Sequence, residues 1–251
     1  MLPGRNAQAR ARPHNPLTTN AERPATGARS MERKPPRRTR ERILELSLRL
    51  FNDFGEPNVN TTLIAEQMNI SPGNLYYHFK NKDDIIQSIF QQFEREIDRL
   101  LAVPANPKRA PNVEDAWLFL HILFELVWKY RFFYRDLNNL LINSRTLEVR
   151  FKALLTDKVK MARWLCDGLA SRGELKAGKA EIEALATNMV VVATYWVSYQ
   201  YVMNPRHFSE PEIVGQAVSR GCYQVMALTS PYLAGDARML FHKLAAEYLN
   251  P

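Results

Sequence analysis

Residues 61–84, TTLIAEQMNISPGNLYYHFKNKDD, hold three helix starts in close succession, and their order decides the fold. Thr61 reads as the N-cap of a short helix that carries Ile64, Ala65 and Met68 inward. Ile70 and Ser71 turn the chain. Ser71 is placed to cap the next helix, and Pro72 stands at its first position, where a missing N–H costs nothing. That helix runs to about Phe79. Asn81 caps a further one, with Asp83 and Asp84 on its positive first turn and Ile85, Ile86, Ile89, Phe93 and Ile97 carrying it to Leu101. In the middle helix Leu75 and Phe79 share the inner face, whereas Asn74, Tyr77 and His78, at i, i+3 and i+4, share the outer one. An amide, a phenol and an imidazole turned outward on a helix too short to stand alone are what a recognition helix presents to the DNA major groove. Thr61, Thr62 and Lys82, at neighbouring helix starts, place donors where phosphates would run.

Upstream, Ile43, Leu46, Leu50 and Phe54 repeat at helical spacing from Thr39, with Leu44, Leu48 and Phe51 widening the stripe and Gly55 supplying the stop. Before that lie six prolines in residues 1–36 and almost no large apolar side chain, so this stretch reads as a disordered basic tail. Met31 opens a second possible start. Residues 1–42 hold eleven Arg or Lys against three Glu, an excess equal to the whole chain's net charge of +8. Such an arm suits a polyanion, nucleic acid first and an anionic membrane surface second; a solvated leader is the plainer reading of residues 1–30. Residues 37–101 carry nine basic and ten acidic side chains, so DNA binding there must rest on placement, with the salt dependence carried largely by the arm.

Downstream of Pro104–Pro111, helical patterns recur at about 113–130, 131–140, 144–171, 180–203, 210–228 and 235–249, without strand alternation or internal repeat. The expectation is an all-α chain of nine or ten helices. Residues 37–85 would form a three-helix, helix-turn-helix module, joined by the 82–101 helix to a larger C-terminal domain within residues 86–251 that binds effector and dimerises.

Cys166 and Cys222 fall in helical segments and suit free thiols in a reducing cytoplasm. The apolar stretch from Met189 to Val202 is interrupted by Thr194, Ser198 and Gln200 and is too short for a membrane span. A cytoplasmic protein with no membrane partner is expected. There is no Gly-rich phosphate loop, no Gly-x-Ser-x-Gly and no metal-spaced Cys or His cluster, so neither an enzyme nor a cofactor is expected.

The run Thr61 to Glu66 followed by Ile70 to Asp83 resembles the DNA-binding signature of the tetracycline-repressor (TetR/AcrR) family, over about 50 to 60 residues that include Gly55. The resemblance implies that Thr62, Gly73, Asn74, Tyr76, Tyr77, His78 and Lys82 touch DNA, Tyr77 reading bases and Tyr76, His78 and Lys82 on phosphate. Arg37, Arg38 and Arg40 would add phosphate or minor-groove contacts, as in some relatives. Tyr76 could instead pack between helices. It further implies a homodimeric repressor on double-stranded operator DNA, with a small-molecule effector bound in the rear domain. A DNA-binding regulator or architectural protein governed by a protein partner is the alternative.

The rear segments add candidates. Trp117, His121, Phe124 and Trp128, then Met189, Trp196 and Tyr199, form aromatic stripes that read either as ordinary core or as the lining of an apolar pocket. His121 is ambiguous in the same way. Val214, Ala217, Val218, Gly221, Val225 and Leu228 share one face of the 210–228 helix, where small residues would admit a partner helix; packing within the subunit is the other reading.

Overall fold

A computed structural model describes residues 36–103 and 109–249. The basic tail and the alternative start at Met31 lie outside the described residues. The helices are α1 (Pro36–Phe54), α2 (Thr61–Met68), α3 (Pro72–His78), α4 (Lys82–Leu101), α5 (Val113–Lys129), α6 (Arg131–Arg135), α7 (Leu137–Asn143), α8 (Arg145–Ser171), α9 (Lys179–Met203), α10 (Pro211–Ala227) and α11 (Gly235–Leu249). Single 3-10 turns at Glu56–Asn58 and Ser230–Tyr232 complete the set. Among the described residues the β-pairing is an isolated antiparallel bridge, Leu175 to Leu233, which ties the α8–α9 connection to the α10–α11 connection. The all-α class is as expected, with eleven α-helices among the described residues where nine or ten are expected.

The caps explain the front of the fold. Asn60, not Thr61, caps α2, its side chain accepting from the Leu63 N–H at 2.8 Å. Thr61 takes the first helical position and keeps its hydroxyl free for another partner. Asn69 ends α2 in the left-handed conformation (φ 53°), as asparagine tolerates. Ser71 and Asn81 cap α3 and α4 as expected, accepting from Asn74 and Asp84 N–H groups. Gly55 holds φ 91° where α1 ends.

The expected helix over 131–140 is two helices. It breaks at Asp136, whose carboxylate is committed elsewhere, accepting from the Glu56 N–H at 2.8 Å and from the Arg135 guanidinium. That guanidinium also donates to the carbonyls of Phe51 (2.6 Å) and Asn52 (2.9 Å), so a side chain of α6 satisfies the open C-terminal end of α1. Asn52 in turn donates to the Lys129 carbonyl at the end of α5 and accepts from the Phe132 N–H at the start of α6.

Around this polar clamp lies the aromatic hub. Phe132, Phe133 and Tyr134 of α6 are fully enclosed and meet Phe51 of α1, Phe90 and Phe93 of α4 and Phe151 of α8, with ring centroids 5.2–6.1 Å apart. A five-residue helix buried on every side needs apolar residues on every side. Burying each ring stabilises by about 1.5–3 kcal/mol. The front helices and the rear helices therefore share one continuous core. Behind the hub α8 packs along α9, α10 lies across α5 and α9, and α11 closes over α5 and α10. No helix among the described residues is long and apolar enough to cross a membrane.

Candidate nucleic-acid interface and rear cavity

Leu75 and Phe79 anchor α3 in the core, and the opposite face stands clear of it. Tyr77 is 79 % exposed, its ring edge-on to the His78 imidazole at 5.1 Å. Gly73 and Asn74 are exposed beside it, and His78 is half-buried. Gly73 carries ordinary space, with only the Ser71 hydroxyl oxygen near where a Cβ would sit, at 3.9 Å. Tyr76 is exposed rather than packed between helices; its hydroxyl pairs with that of Thr61 at 3.1 Å, which fixes the start of α2 against α3. Thr62 is exposed. One surface thus gathers Thr61, Thr62, Asn74, Tyr76 and Tyr77.

Two of the cations expected at this surface, Lys82 and Arg40, are already engaged. Lys82 Nζ lies 2.6 Å from a Glu56 carboxylate oxygen and donates to the Glu56 carbonyl at 3.1 Å. The other oxygen of that carboxylate accepts from Asn139 of α7 at 3.1 Å. Arg40 stacks its guanidinium 4.7 Å above the Phe79 ring and donates to the Ser88 hydroxyl, while Arg38 is exposed. A phosphate at Lys82 would therefore share or displace Glu56. The Glu56 link is invisible in the sequence, because the two residues are 26 positions apart and meet only through the turn after α1.

The rear aromatics do not come together around one cavity. Trp117 packs on Phe241 and Tyr248 under α11, and His121 Nδ1 shares a hydrogen bond of 3.0 Å with the Tyr248 hydroxyl. Trp128 sits on Phe208, and Trp196 donates to the Ala217 carbonyl at 2.7 Å while Tyr199 stacks over it on the outside. Phe124 is core beneath α10. Of the seven pocket candidates only Met189 borders the small internal cavity between α5, α8, α9 and α10, which at about 20 Å³ has room for one water.

The expected dimer face of α10 needs correcting. Ala217, Val218, Gly221 and Val225 are buried within the subunit, and a Cβ on Gly221 would lie 2.6 Å from Phe124 and 2.8 Å from Trp196. Small residues there admit α5 and α9 of the same chain, with only Val214 and Leu228 half-exposed at the ends. The exposed apolar stripe belongs to α9 instead: Val191, Tyr195, Tyr199 and Val202.

One further residue was missed. Lys158 lies on the inner stripe of α8 with Leu154, Met161, Ala162 and Leu165, the single charge in that series and 3 % exposed. Its ammonium donates to the Tyr134 hydroxyl at 3.0 Å and lies 4.7 Å from that ring's centre. A lysine interrupting an apolar stripe was the signal available in the sequence. Burial pulls its pKa down to about 7 and pushes that of Tyr134 up. The unfolded chain, with an ordinary lysine near 10.4, then binds the extra proton between about pH 7 and pH 10.5, so this group's contribution to stability falls by about 1.4 kcal/mol per unit as the pH drops through that window. Lys158→Met is expected to melt above the wild type, with the gap widest near pH 7 and below and closing toward pH 10; thermal melts across the range check this. Burial likewise pushes the thiols of Cys166 and Cys222 up to about 12, so both are unreactive.

A short capped helix with its polar face outward, held on a helical rear domain, defines a helix-turn-helix DNA-binding protein. Residues 43–89 match the family model for bacterial regulatory proteins of the tetR family, and residues 92–241 match the TetR model described as a bacterial transcriptional repressor. The chain belongs to the TetR family, and is a DNA-binding transcriptional repressor rather than an enzyme. It is 37 % identical over 60 residues to an HTH-type transcriptional regulator of Staphylococcus aureus strain USA300, covering 24 % of this chain and 32 % of that protein. The match thus spans about a third of such curated relatives. Among solved structures, a TetR-family transcriptional regulator from Marinobacter aquaeolei VT8 is similar at 35 % identity and TM-score 0.74, covering 84 % of this chain and 98 % of that one. SmeT in its triclosan complex is similar in fold, at 18 % identity and TM-score 0.52 over 80 % of this chain and 94 % of that one.

Proposed function

We propose that the chain acts as a homodimeric repressor that reads a palindromic operator and leaves it when a small, largely apolar effector binds the rear domain. The observation that carries the DNA half is the exposed α3 face, where Asn74 and Tyr77 find no partner in the core and suit base edges, with Tyr76, Thr61, Thr62, Gly73, His78, Lys82, Arg38 and Arg40 around them for the backbone. In this reading residues 37–85 are the reader and residues 86–251 hold the effector and dimer sites. The second copy would meet the α9 stripe, where Val191, Tyr195 and Tyr199 border a surface groove with Gln224 of α10. Exposed tyrosines and valines on one helix face suit a self-complementary interface.

Selection of bound sequences from a random duplex pool tests both halves. The expected result is a palindrome whose half-sites are centred about 34–36 Å apart, one helical turn. A single half-site would remove the dimer, and no enrichment by folded protein would remove the reading. Tyr195→Glu with Tyr199→Glu should give a monomer by sedimentation and weaken binding to the full palindrome.

SmeT bound to triclosan supports a small-molecule effector for this fold. A specific observation favours the rival, control by a protein partner: the cavity between α5, α8, α9 and α10 holds only about 20 Å³. A compound that releases the selected duplex from purified protein decides for the effector.

A further inference from the structure

The ammonium of Lys158 has three donors, and one is accounted for by the Tyr134 hydroxyl. Burial accounts for its displaced titration, and the partner of its hydrogen bond is an uncharged hydroxyl. From α6 it meets Tyr134; α5, α9 and α10 face the cavity with apolar side chains only. Two of the carboxylates of α4, Glu94 and Asp98, face Arg150 and Asp157 of α8. A buried cation without an anion is costly, and an apolar residue of the same size would serve the core better. The Lys158 side chain also borders the cavity, whose other walls include Phe119, Leu123, Met189, Val190 and Ala193.

An anion with an apolar body completes such a site. A single ammonium balances one negative charge, which suits a carboxylate and leaves the second charge of a phosphate monoester unmatched. We propose that the cavity beside Lys158 is the effector site and that its ligand is an amphiphilic monocarboxylic acid, the carboxylate on Lys158 and the hydrocarbon between α5 and α9. This rests on the effector reading above and sharpens it. Entry requires the cavity to widen. Met189, an unbranched side chain, and half-buried Phe119 are the walls suited to yield. Transferring the ammonium from Tyr134 to the carboxylate would act on α6, whose next two residues, Arg135 and Asp136, hold the end of α1 and the Glu56 turn that grips Lys82.

Calorimetric titration of the full chain with octanoate and decanoate, against 1-octanol and 1-decanol, tests the site. Each acid is expected to bind at least about tenfold tighter than its alcohol, as hydrogen bonds to a charged partner allow. At pH 8 binding should take up close to one proton, read from the heats in buffers of different ionisation enthalpy. Lys158→Met should erase both the preference and the uptake. Equal affinity of acid and alcohol, no binding of either acid, or a preference that survives in the variant overturns the proposal. Release of the selected duplex is followed in parallel with a panel of neutral apolar compounds. Release by neutral compounds with no advantage for acids overturns the carboxylate site and leaves the effector reading standing. Acid binding that depends on Lys158 but never releases DNA overturns the assignment of this cavity as the effector site.

Discussion

Tyr77→Ala is expected to cut affinity for the selected operator by about ten- to a hundredfold while leaving the melting temperature within about 1 °C of the wild type. The ring touches nothing in the core beyond the edge of His78, so its removal costs little folding energy. A base contact in the major groove is worth about 1–3 kcal/mol, which gives the fold-change. Two companion measurements separate base reading from phosphate binding. In Tyr77→Ala the loss should vanish on random duplex, since only the preferred sequence loses its contact. In Lys82→Ala affinity should fall on every sequence, and the slope of log K against log salt should shrink by about 0.9. A Tyr77→Ala variant with full operator affinity would mean that α3 does not face the bases.

Gly221→Val is expected to lower the melting temperature by up to about 10 °C. Its first added carbon would stand 2.6 Å from the Phe124 ring and 2.8 Å from the Trp196 indole nitrogen, and that nitrogen is fixed by its bond to the Ala217 carbonyl. Overpacking of this kind costs about 1–3 kcal/mol, and each kcal/mol moves a chain of this size by about 2–4 °C. The same drop should appear in the Tyr195→Glu, Tyr199→Glu background. If Gly221 served a partner helix instead, the substitution would disturb assembly and spare the melting of the monomeric variant.

The two substitutions mark where the sequence could be read and where it could not. The α2–α3–α4 region was legible because its signals are local: Ser71 and Asn81 at cap positions, Pro72 at a first turn, and apolar residues three and four apart. Asn60 was overlooked as the cap of α2 because the threonine after it is also a capping type, and only backbone geometry decides between them. On α10 the spacing of small residues correctly signals close approach, but spacing carries no record of which helix approaches. The break at Asp136 depends on Glu56 and Arg135 across the fold, and a periodic pattern is blind to such a partner. The rings of residues 132–134 fill the junction between the front and rear helices, a role that only the packed fold reveals. Lys158 was lost for the opposite reason, being one residue of the wrong chemistry inside a regular stripe.

The guanidinium of Arg135 resting on the last carbonyls of α1 makes the DNA reader a poor candidate for transplantation. Lifted out as residues 36–101 and fused to a foreign scaffold, it would lose that cap along with the Phe132 and Phe133 rings on which Phe51, Phe90 and Phe93 lie. A chimaera built on this specificity would have to inherit α6 as well, with the cut placed after Asn143 instead of at the end of α4.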